Sequence, residues 1–159
     1  MTIRKIIDKG LEWTLIFLMS ALIIDVLWQV ASRYVMNSPS NFTDELAGYL
    51  LIWVGLIGAA YVAGLREHLA IDLLLQKSSP ERRFKLEIII SILIIIFAVT
   101  VLVIGGTWLV MTRFYLSVKS AAMGLPLGVV YLALPISGIL IAYFDIDNIV
   151  NMIKQNRKK

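Results

Sequence analysis

Four long apolar stretches occupy most of this chain, and they limit its fold more strongly than any other feature. Residues 46–65, 88–112 and 121–144 contain no charged side chain, and residues 13–32 contain only Asp25. An apolar helix of about 20 residues crosses a hydrocarbon layer ~30 Å thick, and each stretch reaches that length. Because lipid offers no hydrogen bonds, the backbone must bond to itself, which favours helices over open sheets. The sequence therefore predicts an all-α integral membrane protein with four transmembrane helices.

Composition and connection lengths indicate a single membrane domain over residues 1–159. Hydrophobic residues make up 59% of the chain and charged residues 16%, a balance outside the usual range of soluble domains. The connections between the apolar stretches are too short to fold alone. We place the spans at about residues 11–34, 44–65, 84–112 and 121–144.

The distribution of basic residues predicts the orientation of the chain. Of the 15 Lys and Arg residues, all but Arg33, Arg113 and Lys119 lie before the first span, between the second and third, or after the fourth. Such a bias is typical of cytoplasmic segments. The sequence thus predicts that both termini are cytoplasmic. The basic surplus then serves orientation and contact with anionic lipid head groups, and a nucleic-acid partner is not needed to explain it.

The connection between the second and third spans contains a short amphipathic segment. Residues 68–75 are mostly apolar but too short to cross a membrane, and the polar His68 and Asp72 stand four residues apart. Residues at this spacing share one face of a helix. The pattern predicts an amphipathic helix that lies in the cytoplasmic interface.

Small residues recur at helical spacing in the second and fourth apolar stretches, and a proline is predicted to bend the fourth. In lipid, small side chains let helices approach closely. We therefore predict that helices pack closely at these positions. Together the positions offer more close-packing surface than a bundle of four helices needs, and this surplus favours a partner subunit. The positions are Gly55, Ala59, Ala63, Gly124, Gly128 and Pro135.

Three polar residues, Asp25, Gln29 and Arg33, share one face of the first helix because they are spaced four residues apart. An acid near mid-span costs roughly 2.5–3.5 kcal/mol, so Asp25 is expected to face protein or water. Asp25 either binds a proton or a cation, or is a structural group that holds this helix to another, and we favour the second interpretation. Across the short connection, an ion pair between Arg33 and Glu45 would suit both helix dipoles.

The sequence contains no recognisable catalytic or cofactor-binding arrangement. It has no cysteine, and His68 is its single histidine, so thiolate metal sites and bis-histidine haem are excluded. No Ser-His-Asp set, glycine-rich phosphate loop or pair of catalytic carboxylates can be assembled. The sequence predicts that the protein is not an enzyme and that this chain holds no cofactor.

Two blocks of residues carry a resemblance to a known family. The first runs from Arg33-Tyr34-Val35 through Thr43-Asp44-Glu45-Leu46-Ala47 to Arg66-Glu67-His68-Leu69-Ala70-Ile71-Asp72. The second comprises Gly124-Leu125-Pro126-Leu127 and Tyr131-Leu132-Ala133-Leu134-Pro135. With four spans and this length, the chain resembles the small membrane subunit (DctQ-like) of tripartite ATP-independent periplasmic (TRAP) transporters. The first and third spans match only as apolar helices.

The resemblance implies partners that composition does not show. They are a large multispan permease subunit, which binds substrate and sodium and moves as an elevator, and a soluble periplasmic substrate-binding protein. The small subunit would be a static brace in the bacterial inner membrane during sodium-coupled uptake of an organic acid, with sialic acid as one candidate. The motif residues carried over are Arg33, Glu45, Arg66, His68 and Asp72.

Two other functions are compatible with four apolar helices. One is a self-sufficient proton-coupled small transporter with Asp25 as its coupling acid, and the other is the membrane anchor of a redox enzyme. Four-helix exporters are shorter and have no counterpart to the segment at residues 66–85, and a single histidine excludes a bis-histidine haem anchor. These arguments favour the brace.

Overall fold

The fold is an antiparallel bundle of four apolar spans, seen in a computed structural model that describes residues 3–36, 40–65 and 80–156. The first two spans are single helices and the last two are interrupted. The elements are α1 (Ile3–Tyr34), α2 (Asn41–Leu65), α3 (Pro80–Phe97), a π-helical segment (Ala98–Gly105), α4 (Gly106–Tyr115), α5 (Leu127–Tyr131) and α6 (Ala133–Asn156). The π-helical segment joins α3 to α4 in the third span, and α5 with α6 forms the fourth. All four spans are long and apolar enough to cross a membrane, which confirms the predicted all-α fold.

The fourth span is the centre of the bundle. Its helix α6 packs against α2, α3 and the π-helical segment, whereas α1 packs chiefly against α2. One apolar cluster joins Ala60 of α2 to Leu102 and Ile141. A second cluster joins Leu11 of α1 to Ile57 and Phe144. Little of α1 is buried in the chain, so most of its apolar surface is left for lipid or for another subunit.

The fourth span begins later than predicted. Residues 121–126 lie outside the helix, in a turn where Lys119 bridges to Pro126 and the Ser120 N–H donates to the Leu125 carbonyl oxygen at 2.8 Å. Gly124 adopts a φ of 67°, a conformation that suits glycine, and a residue that precedes proline, here Leu125, is disfavoured in a helix. Both features keep residues 121–126 out of the helix, so α5 begins only at Leu127. The prediction began the span at residue 121 because residues 121–123 carry no charge.

The interruption between α5 and α6 lies where Pro135 is predicted to bend the chain. Proline has no N–H, so it cannot donate to the carbonyl four residues earlier, which belongs to Tyr131. Residue Tyr131 is the last of α5, and Leu132 instead donates to Val129 at 3.3 Å in a tighter turn. The Pro135 ring also lies against Gly106 of the third span.

Glycines bring the third and fourth spans into close contact. A Cβ atom added to Gly106 would lie 2.8 Å from the Leu134 Cβ, one added to Gly128 would lie 2.6 Å from the Phe114 ring, and one added to Gly138 would lie 2.7 Å from the Leu102 Cβ. Gly128, one of the predicted packing positions, thus lies in close contact with Phe114 of the third span. The spacing of small residues in the sequence did not indicate the contact of Gly106 with the fourth span or that of Gly138 with the third span.

The other predicted packing positions do not all lie at contacts between spans. Ala63 is buried in the apolar core, but Ala59 is exposed. Among the described residues, no packing neighbour lies within 4 Å of a Cβ added to Gly55 or Gly124, and Gly124 lies in the turn rather than in a helix. Gly55 and Ala59 therefore form an outward surface of α2, because the chain contacts this helix mainly through its other side.

We expect the substitution Gly138→Ala to destabilise the isolated subunit. The added methyl group would overlap the Leu102 Cβ and stand 3.0 Å from the Ala98 carbonyl oxygen, and overpacking of this kind costs about 1–3 kcal/mol. Thermal unfolding of the purified subunit in detergent, followed by circular dichroism, would show a lower Tm. Gly55→Ala is the matched control, since its new methyl group meets no packing neighbour within 4 Å in the described part of the chain. Equal Tm values for the two variants would contradict the close contact at Gly138.

Candidate functional site

Polar contacts between spans gather at the two ends of the bundle. We call the end that contains Arg4 and Asp147 the termini side, because it lies near both chain termini. The opposite end, which contains Arg33, Asp44 and residues 119–126, is the loop side. Since α1 and α2 are antiparallel neighbours, residues at the end of α1 and the start of α2 meet on the loop side.

Asp44, in the first turn of α2, binds two residues of the polar face predicted on α1. Gln29 Nε2 donates to Asp44 Oδ1, and Arg33 Nη2 lies 3.9 Å from the same oxygen. Both charged side chains are about half exposed, at 52% and 48%, so the ion pair contributes little by itself. The predicted pair of Arg33 with Glu45 is corrected: Arg33 pairs with Asp44, because the adjacent Glu45 is turned about 100° around the helix.

Glu45 instead binds the turn that precedes the fourth span. Its carboxylate accepts the Ala121 N–H at 3.0 Å and the Met123 N–H at 3.3 Å. The Met123 N–H also lies 3.1 Å from the Ser120 hydroxyl oxygen. Hydrogen bonds to a charged acceptor are among the stronger ones. Glu45 thus ties the start of α2 to a turn more than 70 residues away in sequence.

An open cleft of about 350 Å³ lies beside Glu45, lined by Asn41, Asp44, Glu45, Ala121 and Ala122. Two of these five residues are acidic, so the cleft favours a cationic or hydrogen-bond-donating group. Within the described ranges, no group of three or more His, Cys, Asp or Glu residues is placed to hold a metal ion.

Asp25 lies inside the bundle, one helical turn along α1 from Gln29. Only 7% of the residue is exposed, which agrees with the expectation that it faces protein. In the part of the chain that the structure describes, its Oδ2 atom has no hydrogen-bond partner. Burying a carboxylate oxygen without a partner lowers the stability of the folded chain. The structural role of Asp25 stays a prediction.

A termini-side cluster was missed by the sequence analysis. Arg4 forms an ion pair with Asp147, and both Arg4 and Asn148 donate to carbonyl oxygens of α2. In the sequence, Arg4 indicated orientation alone. Asp147 and Asn148 are two of several polar residues in the last part of α6, and no local pattern points to a partner 143 or more residues away.

Three motif residues, Arg66, His68 and Asp72, lie outside the described residues, as does the predicted interfacial helix at residues 68–75. Of the predicted polar residues that the structure describes, Gln29, Arg33 and Glu45 lie on the loop side. Asp25 lies one helical turn from Gln29 along α1, towards the termini side.

Comparisons with known proteins add to this geometry. The model of the family described as "Tripartite ATP-independent periplasmic transporters, DctQ component" matches residues 22–155. The chain is 30% identical over 154 residues to a Haemophilus influenzae protein named as a TRAP transporter small permease protein, which covers 96% of this chain and 92% of the relative. It is 25% identical over 152 residues to the sialic acid TRAP transporter small permease protein SiaQ of Vibrio cholerae, covering 96% of this chain and 86% of the relative.

A further relative is much longer than this chain. The sialic acid TRAP transporter permease protein SiaT of Haemophilus influenzae is 36% identical over 70 residues, which are 44% of this chain and 11% of the relative. In SiaT, a segment similar to this chain is therefore part of a far longer permease polypeptide.

Proposed function

Because this chain belongs to the DctQ family, the small permease subunits of TRAP transporters, we propose that it braces a large multispan permease subunit during sodium-coupled uptake of an organic acid. Subunits of this family work with a large permease subunit and a periplasmic binding protein. In the proposal the large subunit binds substrate and sodium, and it moves like an elevator against this chain. The observation that carries the proposal is the family match over residues 22–155 on a bundle of four spans.

The polar residues of the bundle support a static role. On the loop side, Asp44 and Glu45 bind groups of other spans or of the turn before α5. On the termini side, Arg4 and Asn148 do the same. A transporter site at mid-membrane is usually built from broken helices that direct backbone groups at the substrate. Here the interruption before α6 is filled by packing against the third span, with Pro135 against Gly106.

Similarity to the longer relative supports a complex with a large permease subunit. A segment similar to 44% of this chain takes up 11% of a protein named as a permease, so sequence of this kind occurs there within a much longer permease polypeptide. A non-covalent complex between this chain and a separate large permease is the corresponding arrangement here. Sialic acid is the candidate substrate, because two relatives carry it in their names.

We propose that the termini side is cytoplasmic in a bacterial inner membrane, with Arg33, Arg113 and Lys119 on the periplasmic side. Because the chain contains no cysteine, one introduced cysteine is a unique label. A membrane-impermeant maleimide should label Ala122→Cys in spheroplasts and should label Lys154→Cys only after the membrane is opened. The reverse pattern would contradict this orientation.

Co-purification tests the complex. The chain with an affinity tag is expressed together with a large permease subunit encoded by the same organism, and the membranes are extracted in a mild detergent. We expect the large subunit to be retained in a fixed ratio through size-exclusion chromatography. An unrelated tagged four-helix membrane protein is the control. Recovery of this chain alone, under conditions in which the large subunit stays folded, would contradict the proposal.

A further inference from the structure

The carboxyl end of α2 is capped by side chains from two other spans. Arg4 Nη2, on α1, donates to the Gly64 carbonyl oxygen at 2.6 Å, and Asn148 Nδ2, on α6, donates to the Ala63 carbonyl oxygen at 3.2 Å. A cation at the carboxyl end of a helix suits the helix dipole. Among the residues that the structure describes, α1 and α6 thus each donate to a carbonyl in the last turn of α2, a turn that itself contains no basic residue.

Arg4 is itself fixed by several neighbours at once. Its Nη1 pairs with Asp147, its Nη2 lies 3.2 Å from the Asn148 Oδ1, and its guanidinium lies 5.9 Å from the centre of the Phe144 ring. The planar fork of arginine can bind several acceptors in fixed directions, which a lysine ammonium cannot. Three quarters of the Arg4 side chain is removed from solvent, so these contacts are screened less than those of Arg33.

Phe144 links this polar cap to the apolar core. The ring is fully buried, and it approaches Gly64 so closely that a Cβ atom there would lie 3.2 Å away. Asn148, one helical turn further along α6, is also buried. The end of α2 is therefore held by apolar contact with α6 and by directed hydrogen bonds from α1 and α6.

Polar contacts thus hold α2 at both of its ends. On the loop side Asp44 binds Gln29 and Glu45 binds the turn at residues 121–123, and on the termini side Arg4 and Asn148 bind the last turn. Apolar side chains between helices gain little from leaving lipid, which is equally apolar. Directed polar contacts at both ends therefore add to side-chain packing in setting the position of α2 along its own axis.

We propose that Arg4 and Asn148 are positioning residues that fix the axial position of α2 against α1 and α6, and thereby make the subunit rigid enough to resist the movement of its partner. This inference deepens the bracing function and rests on it for its transport consequence. The distance measurement below does not depend on transport, so the two can fail separately.

The experiment uses the complete reconstituted transporter. Val62 on α2 and Val150 on α6 are both exposed, and in the cysteine-free chain each can be replaced by a spin-labelled cysteine. Double electron–electron resonance then gives the distribution of distances between the two labels. Uptake is measured per purified complex, with varied concentrations of substrate-loaded binding protein. The variants are Arg4→Ala, Arg4→Lys and Asn148→Leu, and Lys5→Ala is the matched control because it removes the same charge from the adjacent, exposed position.

We expect Arg4→Ala and Asn148→Leu to broaden the distance distribution and to lower the maximal uptake rate about tenfold, the factor that corresponds to a loss of about 1.4 kcal/mol. The apparent KM for the loaded binding protein should stay unchanged, because the substitutions lie on the termini side and leave the loop side, which we propose to face the periplasm, intact. Arg4→Lys should have an intermediate effect, and Lys5→Ala should behave like the parent. An unchanged distance distribution in Arg4→Ala and Asn148→Leu would overturn the cap. A broadened distribution with parental uptake would overturn the role of the cap in transport. An equal effect of Lys5→Ala would show that only the positive charge matters, which would overturn the assignment of Arg4 as a positioning residue.

Discussion

Replacing Glu45 by lysine is expected to reduce uptake by the assembled transporter roughly tenfold or more, because hydrogen bonds to charged groups contribute about 1.5–3 kcal/mol each. The carboxylate accepts the Ala121 and Met123 N–H groups, and a lysine ammonium would face the same two donors with nothing to accept them. The turn at residues 119–126 would then separate from the start of α2. Uptake into proteoliposomes, measured per complex, is the appropriate assay.

Three comparisons make the Glu45 result specific. Substrate binding by the soluble component alone should be unaffected, since that protein is a separate chain. Glu12→Lys makes the same substitution at an exposed position of α1 and should leave uptake unchanged. Glu45→Gln keeps an acceptor oxygen but loses the charge, so its uptake should lie between that of the parent and that of Glu45→Lys. Parental uptake by Glu45→Lys would show that the contact between α2 and the turn is not needed.

Asp25→Asn is expected to stabilise the isolated subunit by about 1 kcal/mol, because burying a charged group without a partner costs more than burying a neutral polar one. The Asp25 Oδ2 atom has no hydrogen-bond partner among the described residues, and an ionised acid within a span is costly. Asparagine has nearly the same shape and no charge. The free energy of unfolding in a detergent and urea series would measure the gain.

The same substitution at Asp44 is the matched control for Asp25. Asp44 is half exposed and contacts Gln29 and Arg33, so Asp44→Asn should change the free energy of unfolding by less than about 1 kcal/mol. Uptake by Asp25→Asn separates the two interpretations of this acid: a structural group would leave uptake intact, whereas a proton or cation ligand would abolish it. A loss of stability in Asp25→Asn would contradict the assignment of Asp25 as an unpaired buried acid.

The spans could be predicted from sequence because the bilayer acts on composition directly. A hydrocarbon layer requires about 20 apolar residues in a self-bonded helix, and the stretches from residue 13 to 144 meet that requirement locally. The start of the fourth span could not be placed by the same rule. Residues 121–123 are as apolar as a helix, and the turn is set by Gly124 and by Pro126.

The partners of polar residues depend on three-dimensional relations that spacing does not report. Whether Arg33 meets Asp44 or Glu45 is decided by the rotation of α2 about its axis. Arg4 meets Asn148 across 144 residues of chain, and no local pattern marks that pair. The eight-residue π-helical segment at Ala98–Gly105 likewise could not be predicted, because its residues are as apolar as those of the adjoining α-helices. It lies where Gly138 packs tightly against Leu102 and Val103.

The central claim is that this chain is a static brace that acts only in complex with a large permease subunit. Solute uptake into proteoliposomes tests this most directly, with vesicles that contain the chain alone, and vesicles that contain the chain with the large subunit and the loaded binding protein. We predict sodium-driven accumulation of the organic acid only in the second set. Accumulation by vesicles that contain only this 159-residue chain would contradict the account.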